Sequence, residues 1–280
     1  MFYIEEIKYL LTHFPQDRKS IESFCNIEMS HYAKLSSIGN ELDRYTQKLE
    51  REQLFEETCT FIAQQIQPRK DVCYTNVSAP LDTIAQEVRN RLREKHPNHS
   101  IFSTSEETFS SWKTNNIKDN HWDQTESMQI MDTLQEYIFD TLNFRVCILV
   151  PEDIKCLCID YVLQSKYGKD VILYTIFNSV ARRLGLRCDV INIENDFCVF
   201  WKPKFVTNNL ENARCFYTEN EKFPNCLHDS LPDYKYCKAH HYVLKIRTKE
   251  ILTMIRTLVK RFIKNHKIMN LGLVKLKCKV

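Results

Sequence analysis

The sequence predicts an α+β fold that is mainly helical. One central helix packs on a small antiparallel sheet, and a helical region precedes both. Two stretches carry this reading. Residues 171–184 contain Val171, Ile172, Leu173, Ile176, Phe177, Val180, Ala181 and Leu184, and the run stops at Gly185. Apolar residues on more than one face mark a buried helix, and a glycine just past the end is a common helix stop. Beyond Gly185 the period changes. Cys188, Val190, Ile191 and Ile193, then Phe197, Val199, Phe200 and Trp201, form β-branched and aromatic runs on either side of Glu194-Asn195-Asp196. That pattern predicts a hairpin.

The other elements follow from the same periodicities. Ile4, Ile7, Leu10 and Leu11 recur at helical spacing until Phe14-Pro15. Helices are predicted over 19–35 and 41–67, the second carrying Leu42, Leu49, Leu54, Phe55, Phe61 and Ile62 and stopped by Pro68. Ser78 and Pro80 open the next, whose face is Leu81, Ile84, Val88 and Leu92, with an end before Pro97. Residues 100–123 are rich in Ser, Thr, Asn and Lys and are predicted as a long exposed loop, partly pinned by Trp112 and Trp122. A helix capped by Thr125 buries Met131, Leu134, Ile138 and Leu142; another spans 153–166 and leads to Tyr167-Gly168. A third strand is expected at 214–218 and a closing helix at 249–264. The domain reading is a helical region over 1–70, a helix plus loop over 71–124, the α+β core over 125–248, and a basic helix and tail over 249–280.

Composition excludes several function classes. Apolar residues make up 43% and charged residues 27% of the chain, an ordinary globular balance. Glycine occurs only at Gly39, Gly168, Gly185 and Gly272, so neither Gly-rich phosphate-loop motif can be written. No apolar run is long enough to span a membrane. The start Met1-Phe2-Tyr3-Ile4-Glu5-Glu6 has acids where a signal peptide needs bases. The expected compartment is therefore the cytoplasm or nucleus, with the cysteines reduced.

Charge is uneven. From Val243 to Val280 eleven Lys and Arg face one acid, Glu250, while the rest of the chain holds more acids than bases. The tail is read as a helix with Ile251, Leu252, Ile255, Leu258, Val259, Phe262 and Ile263 on one side, docked on the acidic body. A nucleic-acid, membrane or acidic-partner contact is the alternative. No named nucleic-acid motif accompanies it.

The residues from Leu157 to Trp201 are more specific. Gly168 stands at a turn, Ala181, Arg182, Leu184 and Gly185 end the central helix as A-R-x-L-G, and Asn192, Phe197 and Trp201 stand in the strand pair. In order and spacing they resemble the SirB-type transglutaminase-like domain found in F-box ubiquitin-ligase adaptors. The likeness extends over about residues 56–264, through Arg93 to Pro97, Ile101-Phe102 and the helix from Met131. It implies a papain-like core with a nucleophile at a helix N-terminus and a histidine base on a neighbouring strand.

Neither chemical group is present. The helix-start position falls on Ile172, the histidine position on Asp196, and the third position near Thr218 or Glu219. Asp170 and Glu194 replace the two prolines of the family pattern. The resemblance therefore implies a non-catalytic protein-interaction module without cofactor, with ubiquitin-ligase components among its partners, although no F-box is recognisable. The alternatives are a cysteine-dependent acyl-transfer enzyme with a relocated nucleophile, or a zinc- or nucleic-acid-binding protein. Cys188 and Cys198 read as small buried hydrophobes. Cys226, His228, Cys237 and His240 would be the zinc ligands, at spacings unlike those of a zinc finger.

Overall fold

A computed structural model describes residues 18–147, 154–193, 196–207, 212–216, 244–245, 253 and 257. Helix α1 spans Arg18–Thr46 and α2 spans Phe55–Ile66, joined by a 3-10 turn at Glu50–Glu52. The single helix predicted over 41–67 is therefore broken, and the break is held by polar side chains. The Gln53 amide donates to the carbonyls of Thr46 (3.2 Å) and Lys48 (2.8 Å), which the end of α1 leaves open. Asn116 donates from its amide to the carbonyls of Glu50 and Gln53. Tyr45 packs its ring on Phe61 and donates its hydroxyl to the Leu54 carbonyl at 2.6 Å.

Helix α3 spans Tyr74–Lys95. It starts a turn earlier than Ser78 and Pro80 predict, and Pro80 lies inside it. Val77, fully buried like Leu81, Val88 and Leu92, extends the apolar stripe upstream, and this burial outweighs the hydrogen bond that proline cannot make.

The stretch predicted as a long loop is largely structured. A 3-10 turn at Ser100–Ser103 leads into α4, Glu106–Thr114. The Ser105 hydroxyl caps α4 by accepting from the Thr108 N–H, with Glu106 and Glu107 in the first turn. Trp112 and Trp122 are buried, as expected. Helix α5, Gln124–Gln135, is capped by Asp123 and not by Thr125: the Asp123 carboxylate accepts from the Glu126 N–H at 2.8 Å. It continues as a π-helix over Glu136–Thr141, with Met131, Leu134 and Ile138 buried and Leu142 half-buried at its end.

Strand β1, Arg145–Val146, pairs in parallel with β2, Tyr167–Gly168. Between them a 3-10 turn, Ile154–Leu157, and α6, Ile159–Ser165, replace the single helix predicted over 153–166. The central helix α7 spans Asp170–Arg183 and is buried along almost its whole length. Strands β3 (Asp189–Ile193) and β4 (Asp196–Trp201) form the expected hairpin, with Val190 opposite Val199. Strand β5 (Arg214–Phe216) pairs with β4 and β6 (Leu244–Lys245) with β3, giving the antiparallel order β5-β4-β3-β6.

One apolar core runs from Ile38 and Leu42 of α1, through α3, α5 and α7, to Val190, Val199 and Trp201 of the sheet. The central helix on a small antiparallel sheet is thus as predicted. Among the described residues no helix is long and apolar enough to cross a membrane. The tail stripe from Ile251 to Ile263 lies outside the described residues, where only Thr253 and Thr257 are placed, helical and exposed.

Candidate functional site

Of the residues singled out by sequence, Gly168 and Ile172 stand at the start of α7, and Ala181, Arg182, Leu184 and Gly185 at its end. At the start, Lys169 precedes the first turn and the Ile172 N–H donates to its carbonyl at 2.9 Å. Ile172 is wholly buried, 0% exposed. The strand leading into the helix is tied on both sides: Cys147 N–H donates to the Gly168 carbonyl, and Lys169 N–H donates to the Cys156 carbonyl.

Gly168 is required for space. A Cβ there would stand 2.4 Å from Cγ2 of Val162. The left-handed residue of this turn is Lys166, at φ 63°, which ends α6. Asp196 is the first residue of β4, opposite Ile193 at the end of the hairpin. Asn192 pairs with Phe197 in the same ladder. Thr218 and Glu219, and the zinc candidates Cys226, His228, Cys237 and His240, lie outside the described residues.

The C-terminal end of α7 is dense with polar links. Gly185 has φ +77°, and a Cβ there would meet Trp112 at 2.7 Å and Trp122 at 2.9 Å. Trp122 Nε1–H donates to the Leu184 carbonyl at 2.7 Å, and His121 N–H donates to that of Gly185 at 3.0 Å. Leu184 and Gly185 thus seat the two tryptophans of the polar stretch. Asn120 secures the sheet: its carbonyl oxygen accepts from Arg187 N–H and Trp201 Nε1–H, and its amide donates to the carbonyls of Lys202 and Pro203.

Arg182 has a role of its own in the motif. It is 3% exposed and binds the Glu56 carboxylate and the Trp112 carbonyl. Arg183 reaches the same carboxylate at 2.9 Å and Asp82 at 2.7 Å, and Ser179 donates to the other Glu56 oxygen at 2.8 Å. Burial opposes ionisation of Glu56, yet Arg182 and Arg183 outweigh it and hold the carboxyl down at about 2. This network joins α2, α3, α4 and α7. Sequence reasoning missed Glu56. The available signal was the pair Arg182-Arg183 on an otherwise apolar helix, which demands a buried acid.

His99 was also missed. It is buried, accepts at Nδ1 from the Ile101 N–H and lies 3.1 Å from the Glu126 carbonyl through Nε2. Its ring and that of His121 sit edge-on to Trp122, 5.4 and 4.7 Å between centres. Both histidines therefore stand with the tryptophans at the C-terminal end of α7, while Ile172 stands in its first turn, about 15 Å along the axis.

Two thiols have clear electrostatics. Burial pushes Cys59 up to about 12, with Thr175 beside it at 3.8 Å. Burial raises Cys188 further, and its sulfur rests 3.9 Å from that of Met131. Neither is a thiolate near neutral pH. Cys198 is fully buried in β4. Among the described residues no three His, Cys, Asp or Glu are grouped so as to share a metal ion.

A helix laid on an antiparallel sheet, with the A-R-x-L-G end and the strand-borne tryptophan in place, defines a transglutaminase-like protein. The profile of the transglutaminase-like superfamily matches residues 75–221, more than half of the chain, and the chain belongs to that superfamily. Among curated proteins it is similar to F-box only protein 21 of Mus musculus, 21% identical over 171 residues, which is 61% of this chain and 26% of that protein. It is similar to the Homo sapiens protein of the same name at 20% over the same length. The chain thus spans about a quarter of the length of the curated relatives it matches. No solved structure matches it.

Proposed function

We propose that the chain is a non-catalytic protein-interaction module, a transglutaminase-like body that works within a ubiquitin-ligase substrate adaptor. The observation that carries this reading is Ile172. The first turn of α7 is where a nucleophile would gain from the helix dipole, and the side chain there is a wholly buried isoleucine. The resemblance puts Asp196 at the position of the base, and a carboxylate is a weak proton acceptor at neutral pH. Two of the described histidines, His99 and His121, lie at the other end of the helix. A fold kept intact around a filled site serves binding better than turnover.

The adaptor role draws on the similarity to F-box only protein 21. It is tested by isolating the tagged full chain from cells under native conditions and quantifying what accompanies it. Cullin-RING ligase subunits in near-stoichiometric amount are the expected result. A chain that is recovered alone, or with partners unconnected to ubiquitin transfer, would defeat the adaptor reading.

The competing reading, a relocated cysteine nucleophile, is tested separately with a thiol-directed acylating probe. No cysteine should be labelled selectively under native conditions.

A further inference from the structure

Arg89 and Arg93 stand one turn apart on α3, so their side chains leave the helix on one face. Each lies over an aromatic ring contributed by the segment after the helix. The Arg89 guanidinium carbon is 4.1 Å from the centre of Phe109, and that of Arg93 is 4.6 Å from the centre of Phe102. Stacking fixes the plane of a guanidinium while its N–H edge stays available to a partner. Among the described residues no carboxylate is within ion-pair distance of either, whereas Arg182, Arg183, Arg187 and Arg214 each have one. Arg89 makes one long hydrogen bond, from Nη1 to Gln86 at 3.3 Å, and its Nε is buried with no acceptor. Burial lowers the Arg89 pKa; Glu106 opposes this and the neighbouring Arg93 adds to it. A cation in that condition gains from an added anion.

We propose that this face of α3, with Arg89 and Arg93 backed by Phe109 and Phe102, docks an acidic segment of a partner protein through its side-chain carboxylates. Side chains one helical turn apart are separated by about 6 Å at Cβ. Alternate residues of an extended chain are about 7 Å apart on one face, so two carboxylates of such a segment meet the two guanidiniums together. Glu106 lies in the field of Arg89 and repels a doubly charged phosphate more than a singly charged carboxylate. Rings that already hold the guanidiniums reduce the entropy lost on capture. The surface does not include the first turn of α7, so it stands whether or not the chain catalyses anything.

The test uses the full chain and a fluorescein-labelled peptide of alternating glutamate and serine. Saturable binding is expected, weakened about tenfold or more in the double variant Arg89→Gln/Arg93→Gln. It should be lost when glutamine replaces glutamate in the peptide. If the double variant loses its helical circular dichroism, Arg89→Lys/Arg93→Lys takes its place. That variant keeps both charges but not the planar forks, and it should bind several-fold more weakly. The proposal is overturned by an absence of saturable binding to the unmodified chain, or by unchanged affinity in a folded double variant. It is equally overturned by tighter binding of the peptide with phosphoserine in place of glutamate, or of duplex DNA.

Discussion

The two ends of α7 are built from different materials. At its C-terminal end Arg182 and Arg183 share Glu56, and Trp122 donates to Leu184. These links are polar, directional and made to distant parts of the chain. At its N-terminal end the first turn carries Val171, Ile172 and Leu173, all buried, and Gly168 is pressed on Val162. Active sites usually show the reverse, with polar groups and perturbed acids where the substrate enters. Here the strongly lowered acid, Glu56, is sealed away and satisfied, which marks it as a structural group.

The largest expected effect comes from breaking the polar end. Glu56→Ala leaves two guanidiniums buried without their carboxylate, a change that costs about 3–5 kcal/mol. Urea unfolding of the full chain would measure it. A loss below about 1 kcal/mol would show that water reaches the network and that the contrast between the ends is overstated.

The same carboxylate gives a pH signature. Its folded pKa, about 2, lies below the ordinary 4.5. The native state therefore binds the proton less readily than the unfolded chain. The stability contributed is fully present above about pH 4.5 and is lost as pH falls toward 2. Linkage puts it on the order of 3 kcal/mol. Thermal unfolding followed between those limits should show this slope, and Glu56→Gln should flatten it.

The apolar end should respond to volume. Gly168→Ala drives a methyl group into Val162, and overpacking of this kind costs about 2 kcal/mol. Val162→Ala in the same chain should recover much of that loss, because the clash is with a side chain and not with backbone. Additive losses in the double variant would mean that Gly168 serves the backbone instead.

The smallest effect belongs to the tryptophan seat. Trp122→Phe keeps an aromatic ring beside Gly185 but removes the donor to Leu184, worth about 1 kcal/mol. A shift in the unfolding midpoint without a change in slope would confirm that the lost bond is local.

Much of this architecture is legible in the sequence, and the gaps have physical causes. Helix α7 announces itself because it is apolar on most sides and ends at a glycine that needs a positive φ. The hairpin is legible because its β-branched runs flank a polar turn. The stretch around α4 reads as a loop because its attachment rests on single side chains, Asn116, Asn120 and Trp112, that no periodicity encodes. Ser105 followed by Glu106 and Glu107 was the local cap signal within it. The break after Thr46 hides for the same reason, since Gln53 and Asn116 satisfy carbonyls that a continuous helix would have used. Glu56 looks like any surface glutamate until its two arginines are placed beside it. At the candidate site, Ile172 and Asp196 are the positions that the resemblance singles out in the sequence. The burial of Ile172, and the gathering of His99 and His121 at the far end of the helix, emerge only from the fold.

The central claim is that the filled start of α7 leaves no acyl-transfer chemistry. It is tested most directly by offering the purified full chain a fluorescent primary amine and a glutamine-rich acceptor protein, and following covalent incorporation with time from neutral to mildly alkaline pH. The account predicts incorporation no faster than in buffer alone, unchanged when Cys59, Cys188 or Cys198 is replaced by alanine. Incorporation that rises with protein concentration and disappears on replacing one cysteine would contradict it.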